Sequence, residues 1–230
     1  MTIRKKENHK INRIGWLRAA VLGANDGIIS TSSIMLGIAA AHPDRASVLL
    51  AGVAALAAGA MSMAAGEYIS VSSQADTERA ALNEEKAELA SDAEGEHREL
   101  AAIYVRRGVQ LPLARQVAAQ LMAKDALAAH ARDELGINEI TSAQPLLAAV
   151  SSALSFSSGA LVPLAAGLLC AEGYRTVAIV GLSLASLVVL GGLAARIGGA
   201  PVAPGIARIL FWSSIAMGVT IAVGHAFGTT

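Results

Sequence analysis

The chain has little of what a soluble or secreted protein is built from. Among its 230 residues there is one cysteine, Cys170, which excludes an internal disulfide, so nothing demands an oxidising compartment. Aromatic residues make up only 3% and charged residues 16%, while alanine and glycine are abundant, which suits closely packed membrane helices better than a soluble core. No secretory signal is evident, because the charged start leads into a full-length apolar block without a small-residue cleavage pattern. The formal charge is zero, yet most of the 18 acidic residues fall between Gln74 and Gln144. One acidic, polar segment therefore interrupts an otherwise basic, apolar chain.

Long apolar runs fill the remainder. They cover Ala19 to Ala41, Val48 to Val71, Leu146 to Ala171, Val177 to Ala195 and Ile209 to Phe227. Each approaches or exceeds the roughly 20 residues that a bilayer-spanning helix needs. The expected fold is an all-α membrane protein of five transmembrane helices, with a three-helix cytoplasmic metal-binding insert between the second and third. The expected division is 1–75 for the N-terminal segment and first two spans, 76–143 for the insert, and 144–230 for the last three spans. Lysine and arginine set the orientation. Arg4, Lys5, Lys6, Lys10, Arg13 and Arg18 precede the first span, and Arg196 and Arg208 flank the last link, whereas the links at His42–Arg45 and Glu172–Arg175 carry one Lys or Arg each. The N-terminus and insert are then cytoplasmic and the C-terminus outside, with Trp16 and Trp212 near the cytoplasmic interface.

The insert reads as helical. No proline occurs from Asp76 to Arg107, and alanine, glutamate and leucine dominate, so the second span is expected to continue out of the membrane as one helix through that stretch. Pro112 starts another helix, and a third around Lys124 to Leu135 ends at Gly136. At about 100 degrees per residue, Glu78, Glu85, Glu88, Asp92, Glu96 and Glu99 share an arc of roughly 80 degrees, with Leu82, Leu89, Ala93 and Leu100 beside them. On composition such a face is a solvated helix surface. Its phase argues otherwise, since a solvated face mixes signs for i,i+4 pairing and this one does not. Oxygen donors of this kind suit Mn(II), Fe(II), Ca(II) or Mg(II) better than Cu(I). His130 alone reads as an exposed helix histidine. Spaced i,i+4 with Glu134, it could bring an imidazole and a carboxylate to the same site and tilt it toward a borderline transition metal.

Two ionisable residues lie within the apolar blocks. Asp26 sits in Gly23-Ala24-Asn25-Asp26-Gly27 and Glu67 in Met61-Ser62-Met63-Ala64-Ala65-Gly66-Glu67. A carboxylate inside a span is costly and usually marks an ion or proton path. Met63 and Glu67 share a helix face, and Asp26 could meet them from the first span; Met35 and Met61 have no such partner. Glu67 is near enough to the interface to reach water by itself. Gly23-x-x-x-Gly27 lets another helix approach closely at the level of the acid, its own copy in a dimer being one candidate. Pro163 removes a backbone hydrogen bond in the third span and is expected to free a carbonyl near the path.

Together these runs, with Glu85-x-x-Glu88, Glu96-x-x-Glu99 and the Ser-Ala-Leu-Ser-Phe-Ser-Ser-Gly-Ala stretch from Ser152, resemble the vacuolar iron transporter family, which includes bacterial Fe(II)/Mn(II) exporters. The resemblance covers the chain from Gly15 onward. It implies a five-span homodimer with its pathway at the subunit interface and proton-coupled export of divalent metal from the cytoplasm, in a bacterial inner membrane. By position it implies membrane pathway roles for Asp26 and Met63 and cytoplasmic metal-ligand roles for Glu85, Glu88, Glu96, Glu99 and Glu134. His130 departs from the pattern, because plant members carry methionine there. The expected partners are Fe(II), Mn(II), Co(II) or Zn(II), protons, lipid and a second copy through the first span, with no nucleic acid and no cofactor. A ferritin-type oxidase would need Glu-x-x-His on two helices, and only Glu94-x-x-His97 is present. A metal-binding membrane sensor or scaffold is the alternative.

Overall fold

A computed structural model describes residues 10–42, 44–137 and 143–228, with side chains from residue 20 onward. The cations Arg4, Lys5 and Lys6, as well as Pro43, Glu139 and Thr229, lie outside the described residues, as do the side chains of Arg13, Trp16 and Arg18. All regular structure among the described residues is helical: α1 (Lys10–Ala41), α2 (Arg45–Ser91), α3 (Ala93–Arg106), α4 (Leu111–Asp133), α5 (Pro145–Leu169), α6 (Arg175–Gly198) and α7 (Val202–Gly228), with a 3₁₀ turn at Glu172–Tyr174. Five of these, α1, α2, α5, α6 and α7, are long and apolar enough to cross a membrane. Their outward faces carry exposed Leu50, Val53, Leu154, Leu161, Val189, Val219 and Phe227. Such apolar area would be a liability in water and is expected against lipid. The chain is an integral membrane protein.

The chain divides into two compact units, 1–67 with 147–230, and 68–146. In the first, α1 packs against α6 and α7. Met35, Leu36, Val48, Ala166, Ile179 and Met217 form its buried core, so Met35 is a packing residue, while Met61 is exposed. The small-residue face of α1 meets α5 of the same chain. A methyl group added at Gly23 would meet Ser155, one at Gly27 would meet the Phe156 carbonyl, and one at Gly159 would meet the Ala24 carbonyl. Backbones this close tolerate no side chain, and the face offered above to a second copy is therefore taken by α5. Pro163 is fully buried inside α5.

In the second unit, the expected single helix from Asp76 to Arg107 is two. Asp92 has φ −143° and ψ 65°, and its Oδ1 accepts the Gly95 backbone N–H at 2.8 Å, so it caps α3 rather than continuing α2. Aspartate is among the best N-caps, and Glu94 and Glu96 in the first turn favour the positive end of the new helix. The local hydrogen bond outcompetes helix continuation although no proline is present. Asp125, at φ −165° and ψ 98°, breaks α4 in the same way and accepts from Ala128 N–H at 2.9 Å. Gly136 adopts φ 70° just past α4, the left-handed conformation a helix C-terminus needs. α3 and α4 close on each other through Leu100, Ala101, Ile103, Ala114, Ala118 and Ala129.

Candidate metal centre

The break at Asp92 decides the chemistry. Along one straight helix, Glu85 and Glu96 would stand about 16 Å apart at 1.5 Å per residue. In the folded unit both reach His130. Its Nδ1 lies 2.9 Å from Glu134 Oε2, 3.1 Å from Glu85 Oε1 and 3.6 Å from Glu96 Oε2. The imidazole is fully buried and the Glu85 side chain 2% exposed, so the expectation of an exposed histidine is corrected. α4 turns its apolar alanines onto α3, and that packing carries His130 inward with them.

One nitrogen facing three carboxylates is an unsatisfied arrangement, since Nδ1 holds at most one proton. Glu85 Oε1 and His130 Nε2 are buried with no hydrogen-bond partner. Burial pushes the Glu85 carboxyl above the usual range, with His130 opposing and Glu134, Glu96 and Glu88 adding to the rise. Glu96 is raised for the same reason, again opposed by His130 and reinforced by Glu99, Glu88 and Glu134. One ligand atom from each of Glu85, Glu96, His130 and Glu134 lies within 4.8 Å of the others. Adjacent donors about 2.1 Å from a six-coordinate ion stand about 3 Å apart, the spacing His130 Nδ1 has from Glu85 and Glu134. A divalent cation would replace the missing protons and satisfy all four donors.

Glu88 and Glu99 are exposed and stand outside this set, close enough only to act through their charge. Glu78 binds Gln74 Nε2 instead, and His97 Nε2 contacts the Arg115 carbonyl, leaving Glu94-x-x-His97 away from the centre. A second network ties the C-terminal ends of α3 and α4 together. Tyr104 Oη donates to Asp133 Oδ2 at 2.7 Å, Arg107 donates to Oδ1 at 2.9 Å, and Arg132 donates to Oδ2 at 2.8 Å. Burial alone would raise the Asp133 carboxyl, but these three donors hold it down at about 2.

Within the membrane unit, Asp26 and Met63 line one open-sided cavity of about 490 Å³ together with Leu22, Asn25, Ile29, Arg208, Ile209, Trp212 and Ser213. Asp26 is exposed on α1. Glu67, also exposed, is not among the lining residues, nor is Gly159, whose carbonyl lacks the helical hydrogen bond that Pro163 cannot donate. Sequence reasoning did not single out Ser213, and Asn25 appeared only as a neighbour of Asp26. Nothing in a span's sequence separates such residues from ordinary packing polar groups.

A helical membrane protein with five candidate spans and three carboxylates gathered on a buried imidazole is the class that these features define. Comparison with known proteins narrows it: the chain belongs to the VIT family, whose model matches residues 17–225. It is 45% identical over 221 residues to a vacuolar iron transporter of Acanthamoeba castellanii, covering 95% of this chain and 82% of that protein. It is 35% identical over 217 residues to vacuolar iron transporter homolog 2 of Arabidopsis thaliana, covering 94% and 86%. A VIT-like transporter 1b of Glycine max is 34% identical over 235 residues, covering 100% and 85%. These relatives are named as transporters, not as enzymes.

Proposed function

We propose that this chain is a divalent-metal transporter that exports Fe(II), Mn(II) or both from the cytoplasm in exchange for protons, as a homodimer in a bacterial inner membrane. The observation that carries the reading is the convergence of Glu85, Glu96 and Glu134 on the Nδ1 of the buried His130. Its hard oxygens and single borderline nitrogen suit Fe(II) and Mn(II). The unit 68–146 is then the cytoplasmic, metal-collecting part, with Glu88 and Glu99 as an outer acidic rim that attracts cations. The relatives' names supply iron as a cargo. In the membrane, Asp26 and Met63 offer the next carboxylate and thioether. An exposed aspartate on a spanning helix cannot face lipid cheaply, which favours a second copy covering α1 on a face other than that held by α5. Metal and proton compete for Asp26, and that competition couples their movements.

The test is metal flux in proteoliposomes, comparing Fe(II), Mn(II), Co(II) and Zn(II) under an imposed pH gradient. Flux that rises with the gradient is the expected result. Tight binding without flux in any of the four would replace transport by the sensor or scaffold reading.

A further inference from the structure

Hydroxyl groups within membrane helices usually satisfy themselves on a carbonyl one turn back. Ser30 does so on Asp26 O at 2.6 Å, Ser158 on Ser155 O at 2.7 Å and Thr220 on Met217 O at 2.9 Å. Ser213 does not. It is fully buried on α7, and its Oγ has no hydrogen-bond partner. Asn25 Oδ1, one position before Asp26, is likewise buried and unpartnered. Thr31, Ser33 and Ser183 also hold unpartnered hydroxyls, but those residues are not among the lining of the Asp26 cavity. Asn25 and Ser213 are, from two different helices.

A buried amide oxygen and a buried hydroxyl left unpaired are unfavourable, and a hard cation held by a neighbouring carboxylate would satisfy the lone pairs of both oxygens. We infer that Asn25 Oδ1 and Ser213 Oγ are further ligands of the transported ion, completing a site with the Asp26 carboxylate and the Met63 thioether. This rests on the transport reading and extends it to how the ion is released. Three carboxylates hold the ion in the 68–146 unit. Here one carboxylate and two neutral oxygens hold it, with Arg208 on the same cavity wall, so the hold is weaker. A conducting site must bind strongly enough to strip water and weakly enough to let go. The neutral oxygens supply coordination without adding charge.

Ser213→Cys, made in a Cys170→Ala background so that it carries the only thiol, tests this directly. A sulfur ligand favours soft ions. Cd(II) should produce thiolate-to-metal absorption in the full-length purified protein and slow alkylation of the introduced thiol at least tenfold, and the Cd(II)/Mn(II) flux ratio should rise several-fold over the parent. Asn25→Asp, which adds a charge, should lower both KM and kcat for Mn(II). Alkylation of that thiol at the same rate with and without Cd(II), together with unchanged Asn25→Asp kinetics, would overturn the inference. Absence of flux in the Cys170→Ala parent would instead refute the transport reading, with absorption and thiol protection still deciding whether position 213 touches the ion.

Discussion

Glu85 on α2 and His130 on α4, far apart in the chain, meet at 3.1 Å in a site where neither side chain is more than 2% exposed. The meeting depends on the Asp92 cap, which ends α2 and redirects Glu96 toward the same imidazole. Repulsion among the carboxylates makes the arrangement a local cost, which a bound cation would relieve.

That cost sets a pH signature. Burial raises Glu85 and Glu96 above the ordinary 4.5, so the folded protein holds protons the unfolded chain has lost. Their contribution is full below that value and is lost as pH climbs through the raised ones. Metal-free protein should therefore melt lower at about pH 7.5 than at about pH 5, whereas Mn(II), which displaces protons, should stabilise more at the higher pH. Saturation a hundredfold above Kd gives about 2.7 kcal/mol. Glu85→Gln and Glu96→Gln should each remove most of the Mn(II) gain while raising metal-free stability, and Glu88→Gln and Glu99→Gln should change it little. Equal Mn(II) stabilisation in Glu85→Gln would remove the cluster from metal binding.

Asp133 behaves with the opposite sign. Held at about 2 by Arg132, Arg107 and Tyr104 against an ordinary 3.8, and with its side chain 10% exposed, it stabilises the fold above pH 3.8 and loses that effect as pH falls toward 2. The shift corresponds to about 2 kcal/mol at neutral pH. Asp133→Asn should lower Tm at neutral pH, and the deficit should shrink as the melts are repeated at progressively lower pH below the ordinary value. A deficit independent of pH would point to packing alone.

Close approach of α1 and α5 gives a third test. A Cβ at Gly27 would collide with the Phe156 backbone carbonyl, and neither backbone can yield without moving its helix. Gly27→Ala is expected to cost on the order of 1–3 kcal/mol, the range for overpacking. Gly66→Ala, where a Cβ meets nothing, should be neutral or slightly stabilising. Thermal melts of the two variants in detergent separate the outcomes, and equal stability would place α5 elsewhere.

Five spans could be read from the sequence because each apolar block is long enough to leave no competing interpretation. Asp92 could not, although the signal was there: an aspartate three residues before Gly95, followed by acids, is an N-cap. Strong helix formers on both sides masked it. Glycines 23 and 27 announced a close approach but not the partner, since spacing carries no address; α5 proved to be the neighbour. The phase of Glu85 and Glu96 marked them as one face, and the fold gathers them by turning the chain back, which depends on packing between α3 and α4 that no local pattern specifies. His130 inverted its expected exposure for the same reason.

Orientation is tested by single cysteines at positions 91 and 229 in a Cys170→Ala background. The distribution of lysine and arginine predicts position 91 in the cytoplasm and position 229 outside. Impermeant maleimide should label the two from opposite faces of sealed vesicles. Labelling of both from one face would require an even number of crossings between them and would overturn the five-span topology, whereas labelling with the two faces exchanged would reverse the export reading.

In the proposed exchange, Asp26 is where metal and proton compete. A carboxylate on a membrane span favours a cation or a proton on it, and Arg208 in the same cavity leaves room for either, so an arriving metal ion would expel a bound proton. Asp26→Asn keeps the volume and one carbonyl oxygen but exchanges no proton. Proton-driven metal flux should fall to background, while Mn(II) still stabilises the cluster at Glu85, Glu96, His130 and Glu134, because those donors come from the 68–146 unit. Met63→Leu removes only the thioether from the cavity and should lower Fe(II) flux more than Mn(II) flux, sulfur being the softer ligand. Wild-type flux in Asp26→Asn would make this aspartate a packing residue and put the proton-exchanging group elsewhere, with Glu67 the remaining carboxylate inside the apolar blocks.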